Sequence, residues 1–137
     1  MLHKNEVKNG VHHAWVRGVV TQSNHMDALV QAVDALIISK AYAQVIRYTN
    51  VEIALTPHQM VCNVLAVSKM MVPLTIPTAI VIQPHDLDFW RTYTNIMTGK
   101  DVMRGFFVGK DAESRAVDWA RWIAAPYLSR LERLPQT

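Results

Sequence analysis

One pattern recurs along this chain and limits what it can become: an apolar or β-branched run, a polar break, then apolar residues at three-and-four spacing. Residues 79–90, "AIVIQPHDLDFW", show it in miniature. Residues 79–82 read as a strand buried on both faces, Gln83-Pro84-His85 as a turn and Asp86 as a helix cap. Phe89, Trp90, Tyr93, Ile96 and Met97 then form the inward stripe of a helix that Gly99 ends.

The same order appears three more times. "VHHAWVRGVV", residues 11–20, has strand composition, and Met26, Leu29, Val30, Val33, Leu36 and Ile37 after it share one helical face. Asn24 is the expected cap there, with Asp27 in the first turn where a negative charge suits the free amides. Residues 44–55 form the next strand, bent or bulged at Thr49-Asn50. Thr56, Pro57 and Gln59 read as N-cap, first helical residue and capping-box partner of a helix that turns Met60, Val61, Val64, Leu65 and Val67 inward until Pro73 stops it. The last unit is a strand within residues 101–109 and a helix opened by Asp111, with Ala116, Trp119, Ala120 and Ile123 facing in and Pro126 closing it. Asn9-Gly10 tolerates positive φ at both positions and predicts a hairpin from a short, frayed strand over residues 2–8.

Strands separated by helices imply a parallel sheet. The predicted fold is therefore α/β: a four-unit strand-helix superhelix with a mainly parallel sheet, helices packed on it, and a short N-terminal hairpin strand. Its 137 residues suffice for one core, assigned to residues 1–125, with 126–137 as a C-terminal tail. That tail carries Tyr127, Leu128, Leu131 and Leu134 in a stripe suited to a homodimer or another protein partner. A single cysteine, Cys62, and the polar start of the chain predict a cytoplasmic protein without disulfides. Cys62, among apolar neighbours, is expected in the core. The apolar run of residues 70–82 is interrupted by Pro73 and Pro77, so no membrane span is expected. The fourteen Lys and Arg, against eleven Asp and Glu, are scattered and not gathered on one face, so nucleic acid is not an expected partner.

Ligands of parallel sheets bind at the carboxyl ends of the strands, where helix N-termini present free amides. The expected ligand-binding residues are accordingly Thr56, His58, His85, Asp86 and His25, for a small anionic or apolar molecule. A second reading makes Thr56 a phosphorylation site at the positive end of a helix. A third gathers His25, His58 and His85 around a catalytic metal, although imidazoles at separate helix starts are more often caps and solvated surface, and no metal or cofactor is assigned. His12 and His13 are adjacent in a strand and point to opposite faces. The methionines, Met60, Met70, Met71, Met97 and Met103 among them, read as core filler. No GxGxxG, P-loop, GxSxG or HExxH occurs, so no reaction is assigned by motif.

Three stretches, "WVRGVVTQSNHMDALVQAV", "PTAIVIQPHDLDFWRTYTNIM" and "DVMRGFFVGKDAESRAVDWARWI", resemble the SpoIIAA-like branch of the STAS-related fold. The resemblance spans residues 11–123 and implies the same strand-helix order, with no settled activity. Lipid-binding domains compared with that fold extend the implied ligands to lipid-like molecules. Anti-sigma antagonists of the fold carry a phosphorylatable serine after an acid at the second helix; the matching stretch "ALTPHQM" has Thr56 and no preceding acid.

Overall fold

The structure is a computed structural model and describes residues 1–69, 76–100 and 103–132. The chain runs β1 (Leu2–Lys8), β2 (Val11–Val20), α1 (Gln22–Ser39), β3 (Ala43–Ile53), α2 (Pro57–Ser68), β4 (Thr78–Ile82), a 3-10 turn (Pro84–Asp86), α3 (Leu87–Met97), β5 (Arg104–Val108) and α4 (Ala112–Glu132). The five strands lie side by side in sequence order. β1 is antiparallel to β2, and β2, β3, β4 and β5 are mutually parallel. Because a helix bridges each parallel pair, the carboxyl ends of β2 to β5 share one rim, as the repeated pattern predicts.

β1 is not frayed: it pairs with β2 from Leu2↔Arg17 to Lys8↔Val11. Asn9 and Gly10 turn between them at φ of 51° and 73°. A β-carbon on Gly10 would meet Tyr42 Cδ2 at 3.0 Å and Leu128 Cδ2 at 3.3 Å. Gly10→Ala therefore combines a left-handed backbone with a tight contact, and a loss of about 1–2 kcal/mol is expected in urea unfolding. The predicted irregularity in β3 is present: Trp15 pairs with Arg47 but Arg17 with Asn50, so β3 carries one extra residue around Tyr48-Thr49.

Side chains alternate between two cores. On one face, Val16, Val20, Tyr48, Ile80 and Ile82 meet Met60, Val61 and Val64 of α2 and Trp90, Tyr93 and Met97 of α3, with Leu29 of α1 beside them. On the other, Val11, Ala43, Val45, Ala79 and Val81 meet Ala112, Ala116, Ala120 and Ala124 of α4. Small residues on both sides of that second contact let the helix lie close to the sheet. Arg47, buried on this face, pins the start of α4: its Nε donates to Glu113 Oε1 at 2.6 Å and its guanidinium stacks on Trp15, 4.3 Å from the ring centre.

Five further local expectations differ from the structure, the first being Met103, read as core filler and exposed just before β5. α1 begins earlier, with Thr21 as N-cap and Asn24 as its capping-box partner; the Thr21 hydroxyl reaches the amide three residues on, and Asn24 then returns a bond to the Thr21 amide. Asp86 does not cap α3 with its side chain, because its carboxylate accepts from Gln83 Nε2 at 2.8 Å instead. Cys62 is exposed, since Met60, Val61, Asn63, Val64 and Val67 occupy the inward side of α2. Pro126 does not close α4, which continues to Glu132. Proline there removes the one amide that would reach the carbonyl of Trp122, a residue on the solvent side where water can replace it. Beyond it, Tyr127 stacks on Tyr42 at 4.7 Å and Leu128 packs at Gly10, which holds the helix on. Pro73, Met70, Met71, Asp101, Val102 and Leu134, and the side chains of Ile37 and Leu131, lie outside what is described. Among the described residues no helix is long and apolar enough to cross a membrane.

Candidate functional site

Of the five residues expected at the site, Thr56, His58 and His85 are exposed, Asp86 is half-buried beside His85, and His25 turns into the core. Thr56 is exposed and its hydroxyl accepts from the Gln59 amide at 3.1 Å, with Gln59 returning a bond to the Thr56 amide. His58 is exposed in the first turn of α2. His85 is exposed beside Asp86, 3.6 Å from its carboxylate. An open depression of about 880 Å³ at the carboxyl rim lies between β4 and the start of α4, lined by Gln83, Pro84, Asp111, Glu113, Asp118 and Arg121, and none of the five residues lines it. No group of three or more His, Cys, Asp or Glu among the described residues is placed to hold a metal, so His25, His58 and His85 do not converge as a metal-dependent enzyme requires.

His25 goes elsewhere. It turns inward from the first turns of α1, 2 % exposed, and lines a cavity of about 80 Å³ between the sheet and the helices of the first core. The cavity lies under the amino-terminal halves of the strands: its walls include Gln44, Ile46 and Tyr48 of β3, Thr78 and Ile80 of β4, and Arg104 at the start of β5. Leu29, Val33 and Leu36 of α1 and Met60, Val64 and Val67 of α2 supply most of its apolar surface. Trp90 and Tyr93 of α3 close the side toward β5.

Among the polar groups of this wall, His25 and Tyr48, joined by Asn63 behind the wall, stand apart from Trp90 and Arg104. In the first set, each polar side chain has a hydrogen-bond partner. Asn63 Nδ2 donates to the Gln22 carbonyl at 2.9 Å and to His25 Nδ1 at 3.0 Å. With Nδ1 accepting, the proton of the neutral ring sits on Nε2 and points to Tyr48 Oη, 3.3 Å away. Burial pushes the His25 imidazole down to about 4, and the Asn63 donor facing Nδ1 leaves no acceptor for a second ring proton. Burial raises the Tyr48 hydroxyl well above the ordinary phenol value and raises that of Tyr93 too, opposed in both by the nearby positive charge of Arg104.

The second set is unpaired. Trp90 Nε1 and Arg104 Nε are buried and have no hydrogen-bond partner among the described residues. Trp90 is 3 % exposed, and its ring lies 5.4 Å from that of Tyr93, over which the Arg104 guanidinium sits at 5.9 Å. A buried donor without an acceptor costs about 1–3 kcal/mol. Two of them flank one tyrosine at the edge of the cavity, and they are the buried side-chain donors left without a partner among the described residues.

Sequence reasoning singled out His25 as a ligand contact at the carboxyl rim; the structure places it in the cavity wall, with partners that no spacing indicates. Trp90 and Tyr93 read only as part of the inward stripe of α3, and inward they are. The overlooked signal was Arg104: a lone cation inside the otherwise apolar run "MRGFFV" faces the same side as Phe106 and Val108, into the first core. Compared with protein-family models, with curated proteins and with solved structures, the chain matches none.

Proposed function

We propose that this protein is a non-enzymatic binding domain whose ligand is a small apolar molecule held between the sheet and the layer of α1, α2 and α3. The single observation that carries the reading is the cavity, mostly aliphatic and aromatic in its walls, with a few convergent polar groups at one side. At about 80 Å³ it is smaller than a cavity of about 150 Å³ that accepts benzene, so a short chain fits better than a ring system. A non-catalytic role agrees with the state of His25, which is locked between Tyr48 and Asn63 and is too weak a base at neutral pH to abstract a proton. The order of elements is in keeping with the SpoIIAA-like resemblance, and a cytoplasmic location and regulation of a protein partner belong to the same reading.

The test is thermal unfolding with 1-pentanol, a neutral short-chain probe. Binding to the folded state alone raises the midpoint as the probe concentration passes its dissociation constant. The expected result is a saturable rise for the natural protein and none for Ala32→Phe, whose ring fills the cavity. An equal response in both proteins, or none in either, contradicts the reading.

A further inference from the structure

The two unpaired donors specify more than an apolar ligand. Trp90 and Arg104 both line the cavity, on the side closed by Tyr93. Their buried nitrogens, Nε1 and Nε, each present one N–H with no acceptor among the described residues. Arg104 also has no carboxylate partner among those residues, in contrast to Arg47, which is equally part of the sheet and is paired with Glu113. A buried guanidinium edge without an anion is costly, and an indole N–H in a core ordinarily finds an acceptor. Both needs are met by one group with two acceptor oxygens and one negative charge.

Resting on the cavity being a binding site, we propose that its ligand is a short-chain monocarboxylate, with the chain among Leu29, Val33, Val64 and Ile80 and the carboxylate accepting from Trp90 Nε1–H and Arg104 Nε–H. Charge-assisted bonds of this kind are the stronger ones, and the surrounding apolar wall strengthens them further. A phosphate monoester fits less well: it brings up to two charges, and Arg104 is the one cation of the described wall. A neutral alcohol leaves the guanidinium uncompensated. The cavity thus discriminates among ligands of equal chain length by their head group.

The experiment compares pentanoate, 1-pentanol and pentyl phosphate at pH 7 by titration calorimetry or by chemical-shift titration. Pentanoate is expected to bind at least ~10-fold more tightly than 1-pentanol, a difference of about 1.4 kcal/mol. In Arg104→Met and in Trp90→Phe, which keeps an aromatic ring in place, the ratio of the two affinities is expected to fall toward one. If 1-pentanol binds and pentanoate does not surpass it, the cavity is a site and the carboxylate assignment is wrong. Tighter binding of pentyl phosphate than of pentanoate also overturns it. If none of the three probes binds, the cavity reading itself fails. The comparison in the natural protein decides the matter even where a variant does not fold.

Discussion

Replacing Trp90 by alanine is expected to lower the unfolding free energy by about 3–5 kcal/mol, well beyond the loss expected for Gly10→Ala. Its indole is the hub of the first core: the ring lies 5.1 Å from Tyr48, 5.2 Å from Phe89, 5.4 Å from Tyr93 and 5.7 Å from Phe106. Those rings come from β3, α3 and β5, so removing the indole opens a void among three elements that have little freedom to collapse into it. Trp90→Phe retains most of the ring contacts and relieves the unpaired Nε1, and its cost should be well under half that of Trp90→Ala. Urea unfolding of the two variants checks both statements. Equal losses would mean that the indole nitrogen, and not the ring packing, determines the effect.

Acidification is expected to produce the second large effect, through His25. Unfolded, this imidazole takes up its proton near its ordinary value of 6.5; folded, it resists until about 4. The unfolded chain therefore binds more protons throughout that interval. Stability is whole above about pH 6.5 and falls as the pH drops toward 4, by about 3 kcal/mol from this residue alone. Burial also lowers His12 and His13 below their ordinary value, so they act in the same direction. His25→Gln can keep hydrogen bonds to Asn63 and Tyr48 but does not titrate. Its stability should decline less steeply between pH 6.5 and 4 than that of the natural protein. Parallel pH curves for the two would show that the His25 environment is more open to water than the structure has it.

The fold was legible because its signals are local and repeated. Thr56-Pro57-x-Gln59 marks a helix start by hydrogen bonds that span three residues, and the structure has each of them. Asn9-Gly10 marks a hairpin by backbone freedom alone. Where two residues could serve one role, local reading chose less well: Asn24 and Thr21 both have capping oxygens, and only the reciprocal pair, with Thr21 outside and Asn24 inside, satisfies two amides at once. Pro126 misled for a related reason, since its effect depends on whether the orphaned carbonyl faces water and whether Tyr127 and Leu128 find partners beyond it.

The site was less legible because it depends on which faces meet. The general preference of parallel sheets for ligands at the carboxyl rim pointed to Thr56, His58, His85 and Asp86; the first three stand exposed near that rim, and Asp86 is half-buried against Gln83. The cavity lies inside the fold, under the amino-terminal halves of β3 and β4, and is walled from His25 and Met60 near the helix starts to Leu36 and Ser68 near the helix ends. Its distinguishing residues come from positions 25, 48, 90 and 104, on four different elements, and no spacing along the chain brings them together. Only the alternation in β5, which sets Arg104 on the side of Phe106 and Val108, gave a hint within the sequence.

The most direct test follows the four indole N–H resonances, from Trp15, Trp90, Trp119 and Trp122, in a nitrogen-proton correlation spectrum while pentanoate is added. The account predicts that the Trp90 indole signal moves downfield as it gains an acceptor and saturates with the backbone signals of Val64 and Ile80, while Thr56, His58 and His85 stay in place. Shifts confined to Thr56, His58 and His85, with the Trp90 indole unmoved at saturation, would contradict it.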